Sequence, residues 1–80
     1  MALTRAQMIE ILAEADPVGL IEAGAPRDEY ASEADEILSL RGIPQLTEIT
    51  GIFAVSFSDP GACERETARW IVDEMQRRAT

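Results

Sequence analysis

Cys63 and fifteen carboxylates are the side chains best suited to nucleophilic, acid–base or metal chemistry in this 80-residue sequence, which contains neither histidine nor lysine. A thiol reacts as its thiolate, and a helix N-terminus or a neighbouring base is what favours that form. Cys63 follows Asp59-Pro60-Gly61, a turn or a helix start, but no histidine or lysine is available to take its proton. It is therefore expected to be a small apolar residue at the edge of the core. Carboxylates can pair as acid and base across a deep cleft, but 80 residues leave little room for one. The calcium-loop pattern Asp-x-Asp-x-Asp-Gly is missing, and DEYASEADE (residues 28–36) lacks the glycine of its sharp turn. The expectation is a protein that is not an enzyme and that uses no cofactor and no metal.

What remains is charge, and it is unevenly spread. The net charge is −8. Nine acids lie between Glu10 and Glu36, with Arg27 as their only base, whereas the other six acids and six arginines cancel. An acidic chain is repelled by nucleic-acid phosphate, so direct DNA or RNA binding is not expected. A basic protein surface is the natural counterpart, because opposed fields steer encounter. The residues expected to meet it are Glu22, Asp28, Glu29, Glu33, Asp35 and Glu36. The leading reading is a binding protein, an immunity protein or antitoxin that occludes a basic toxin. One alternative is a nucleic-acid mimic that inhibits a DNA-binding phage-defence complex. Another is a small cation-binding protein. Trp70, the one tryptophan, is placed at the core margin and would be a partner anchor if exposed.

The elements that hold these residues read as helices. Thr4 and Gln7 match a capping box, and Leu3 and Met8 a hydrophobic staple, at the start of a helix over Thr4–Ala15. Met8, Ile11, Leu12 and Ala15 share one face of it. Pro17 ends this helix, since it disfavours helical geometry at Asp16. Asp16 then caps a short turn over Pro17–Leu20, and Val18, Leu20 and Ile21 plug the core from a surface loop. A second helix is predicted from Tyr30 or Ser32 to Arg41, with Ser32 as N-cap and Gly42 as the left-handed residue after its end. Tyr30 is expected to place its ring in the core and its hydroxyl at the rim.

Residues 45–58 fit either a helix or a strand. Leu46, Ile49, Phe53 and Phe57 share a helical face, while Phe53, Val55 and Phe57 alternate. A lone strand would lack a partner, which favours the helix. A last helix is predicted over Ala62–Arg78, with Ala68, Ile71, Val72 and Met75 inward. Residues 1–80 thus read as a single compact all-α domain of four helices, with a structured loop between the first two. No apolar run reaches a membrane span and no signal-peptide pattern opens the chain, so a cytoplasmic protein is expected. The lone cysteine fits a reducing compartment. An acyl carrier protein is also acidic and four-helical, but its Asp-Ser-Leu site has no counterpart at Tyr30-Ala31-Ser32-Glu33.

The chain resembles a family of small, uncharacterised bacterial proteins. Their signature is Asp-Pro-apolar-Gly-apolar, a proline, Asp/Glu-Tyr and an acidic helix. Asp16, Pro17, Val18, Gly19, Leu20, Pro26, Glu29 and Tyr30 match that pattern, and Ala15 stands where the family places a large aromatic. The resemblance implies an all-helical fold and attaches no activity to these positions.

Overall fold

The computed structural model describes residues 3–79. They form four helices: α1 (Arg5–Ala15), α2 (Ala31–Leu38), α3 (Leu46–Ser56) and α4 (Arg65–Arg78). No strand occurs among the described residues, and the fold is all-α. Helix α1 packs against α2 and α4, and α3 packs against the same two, so the helices close a ring around one core. Burial supplies the main drive for this closure.

Helix α1 begins as its sequence dictates. Thr4 Oγ1 accepts from Gln7 N at 3.0 Å, and Gln7 Oε1 accepts from Thr4 N at 2.9 Å. Leu3 packs on the core beside the buried Met8, Ile11 and Leu12. At the other end Asp16 takes a left-handed conformation (φ 45°), and its N–H closes the helix on Leu12 O at 2.8 Å. Among L-residues only Asp and Asn reach that region readily.

Helix α2 starts within the predicted bounds but ends three residues before Arg41. Tyr30, not Ser32, is the N-cap, and it makes no side-chain cap, since its hydroxyl lies too far along the ring to reach the first-turn N–H groups. Ser32 lies inside the helix. The helix stops at Leu38 because Ser39 Oγ donates to Glu36 O at 2.6 Å, while Ser39 N reaches both Asp35 O and Glu36 O. Such back-bonding competes with helix propagation. Gly42 does adopt positive φ (70°), but it serves the connector to α3 rather than the helix end.

The ambiguous segment is helical. Glu48 Oε1 accepts from Gln45 N at 2.8 Å to start α3, and Ile49 and Phe53 are fully buried. Phe53 and Phe57 stack near-parallel at 6.1 Å, and Tyr30 meets both edge-on at 5.9 and 6.3 Å. Aromatic contacts of this kind add stability beyond simple burial. Helix α4 starts three residues later than predicted. Asp59 holds a turn by accepting from Gly61 N at 2.9 Å, and Ala62 and Cys63 enter the core ahead of the first helical turn.

Candidate functional site

Three neighbourhoods bear on function: the loop between α1 and α2, the acidic residues, and the groove between α2 and α3. The loop is built on Asp16. Its Oδ1 accepts from Tyr30 Oη at 2.7 Å and from Ile21 N at 3.0 Å, and its Oδ2 accepts from Glu22 N at 3.0 Å. The Tyr30 hydroxyl in turn accepts from Val18 N and Leu20 N, both at 3.3 Å. Two side chains thus satisfy four backbone donors in a segment with no regular structure. The ring of Tyr30 is buried as expected, but its hydroxyl organises the loop instead of meeting solvent. Asp16 caps Ile21 and Glu22 rather than the turn over Pro17–Leu20. Every backbone N–H that hydrogen-bonds to the side chains of this pair lies within the loop, so the polar role observed for the pair is to fix the loop's shape.

The electrostatics follow from these contacts. Burial works to raise the Asp16 pKa, but the hydrogen bonds from Tyr30, Ile21 and Glu22 outweigh it and hold the carboxyl below its ordinary value. Burial and the Asp16 bond push Tyr30 up to about 12. Burial, helped by Glu64, pushes the Cys63 thiol up to about 11, and its Sγ donates to Glu64 O at 3.6 Å. A thiol so disposed is a core atom rather than a nucleophile.

Of the six acids predicted to meet a partner, five are exposed and Glu33 is buried. Glu22, Asp28, Glu29 and Glu36 are exposed. Asp35 is exposed as well but is paired: Arg5 reaches it from α1 with Nε at 2.7 Å and Nη2 at 3.3 Å. The Arg5 hydrogen bond holds Asp35 below the usual carboxylate range. Glu33 is not on the wet side of α2. It is only 7% exposed, and its Oε1 has no hydrogen-bond partner among the described residues. The physical reason is the 100° turn per helical residue, which places Glu33 beside the inward-facing Tyr30, Ala34 and Ile37.

Two further arginines neutralise acids of the first half. Arg27 binds Glu10 at 2.9 Å, and Arg78 of α4 binds Glu14 at 2.6 Å. Arg78 and Arg77 also hold Glu74, whose carboxyl the Arg77 hydrogen bond pulls below its ordinary value. The charge imbalance is therefore smaller around α1 than the sequence alone suggests.

The third neighbourhood lies where Glu36 and Leu40 face α3. Together with Glu48, Gly51, Ile52 and Val55 they line an open groove of about 430 Å³. Its floor is apolar and two carboxylates flank it. Val55 is 83% exposed. Sequence reasoning missed Glu48, Gly51 and Val55, although Val55 falls off the helical face of Leu46, Ile49, Phe53 and Phe57, and that displacement was the available signal. A smaller cleft of about 270 Å³ separates α1 from α4, where Trp70, 39% exposed, lies beside Glu14 and Glu66. Among the described residues, no three carboxylates or thiols converge as metal ligands. No described helix is long and apolar enough to cross a membrane.

Comparison with protein-family models, curated proteins and solved structures yields no match.

The titrating groups predict a pH profile. Asp16, Asp35 and Glu74 have lowered pKa values, so their contribution is present above the ordinary 3.8–4.5 and is lost as pH falls through the folded values. Tyr30 and Cys63 are raised, so their contribution is intact below about 9 and is lost as pH rises toward 11–12. With no histidine, the chain lacks the side chain that ordinarily titrates near neutral pH. Urea midpoints measured across pH should trace a plateau with two falling flanks, and a step near pH 6–7 would contradict this assignment.

Proposed function

We propose that the chain is a binding protein that docks a partner with a basic surface, in the manner of an immunity protein or antitoxin covering a toxin. The observation that carries this reading is where the arginines go. Arg5, Arg27 and Arg78 engage Asp35, Glu10 and Glu14, while Glu22, Asp28, Glu29 and Glu36 are exposed with no salt bridge among the described residues. Exposed carboxylates without internal partners project their field outward, over a Debye length of about 8 Å at physiological salt. Such a field acts mainly on the rate of encounter.

Reversing Glu22, Glu29 and Glu36 to lysine moves the net charge from −8 to −2. The matched control reverses Glu64, Glu66 and Asp73, in the segment where acids and arginines balance. A partner captured from lysate of the source cell should associate at least tenfold more slowly with the first variant than with the control. Added salt should narrow the difference. Equal association rates would reduce the acidic face to a solubility feature and move the search to Trp70.

A further inference from the structure

We infer that the α2–α3 groove receives an amphipathic helix of the partner, with aliphatic residues on its buried ridge and arginine or lysine on its flanks. This deepens the binding reading above and rests on it. Two features meet along this groove.

The first is Gly51, in the middle of α3. Glycine is the poorest ordinary residue for a helix interior, and close packing against it is the usual reason to keep one. Here a Cβ would meet nothing within 4 Å, so the chain itself makes no use of the missing side chain. An incoming helix would, because glycine allows two backbones to approach closely. The second is Val55, one helical turn further on, an aliphatic side chain 83% exposed on the same wall.

Charge complementarity selects the occupant. Glu36 and Glu48 flank the apolar floor. No basic side chain among the described residues lines the groove, so its rim is acidic. A second copy of the chain would set these acids against their own kind. A basic amphipathic helix matches both the floor and the rim, as in other helix-in-groove recognition.

The test uses two 16-residue helical probes of equal positive charge. One carries a leucine stripe flanked by arginines, and the other has serine at each leucine. Anisotropy titrations are run with wild type, Val55→Ser and Gly51→Leu, all of the same net charge. Leucine favours helix over glycine and finds open space at position 51, so Gly51→Leu should melt no lower than wild type while filling the groove. The leucine probe should bind wild type at least tenfold more tightly than the serine probe, and both variants should erase that preference. If the two probes bind alike, and only the reversal of Glu22, Glu29 and Glu36 weakens them, the groove proposal fails while the acidic-surface reading stands. If neither probe binds at low salt, both fail. Sedimentation showing a wild-type dimer that Gly51→Leu dissolves would put a second copy in the groove and also overturn the proposal.

Discussion

Asp16→Ala should cost about 3 kcal/mol or more of folding free energy, a large share for a chain of this size. The side chain accepts three hydrogen bonds, from Tyr30 Oη and from the N–H groups of Ile21 and Glu22. Bonds to a charged group contribute about 1.5–3 kcal/mol, and the alanine would also sit at φ 45°, where a non-Gly backbone is strained. Asp16→Asn keeps the left-handed tolerance and one acceptor, so it should fall between wild type and alanine. Tyr30→Phe keeps the ring on Phe53 and Phe57 but frees Val18 N and Leu20 N, at a cost of about 1.5–3 kcal/mol. Urea unfolding of the two single variants and Asp16→Asn/Tyr30→Phe completes a cycle. The double variant should lose clearly less than the sum, since the two groups share one bond. Strict additivity would mean that the phenol and carboxylate act independently, contrary to the 2.7 Å contact.

Phe53→Ala should be at least as severe, at about 3–5 kcal/mol. Phe53 is fully buried where α3 meets Tyr30 and stacks on Phe57. Removing the ring leaves a cavity between helices that cannot close without moving the loop anchor. Phe57→Ala is the comparison, because Phe57 is only partly buried and lies just past the end of α3. It should cost roughly half as much, in line with its smaller loss of buried area. A urea midpoint for Phe53→Ala no lower than that for Phe57→Ala would show that the aromatic cluster is not centred on Phe53.

Features set by neighbours in sequence were legible in the chain. The capping residues Thr4 and Gln7 lie three apart and need no tertiary partner, and they start α1 as read. Tyr30 was legible as a core ring because its spacing with Ala34 and Ile37 is local. Its bond to Asp16, fourteen residues back, was not. The separate surroundings of the acidic run were not legible for the same reason. Glu33, Asp35 and Glu36 are adjacent in sequence, yet one turn of helix sends Glu33 inward, Asp35 to Arg5 and Glu36 to the groove. Arg5 lies thirty residues from Asp35 in the chain, and no spacing rule links them. The groove joins two helices, so only Val55, apolar and off the inward face, pointed toward it.

The closed ring of helices also governs the order in which the fold can assemble. Three of its four pairings join consecutive helices, whose contacts are more local and can form early. The fourth, α1 against α4, spans most of the chain: Glu14 and Arg78, which meet there, are 64 residues apart. Loop-closure entropy makes that contact the slowest to reach, even though it grows only gently with length. Docking of α4 onto α1 is therefore the expected late event in folding. Until it happens, Ile71 and Met75 of α4 and the inner face of α1 are exposed to water together. The interval before ring closure is when this chain is most open to aggregation.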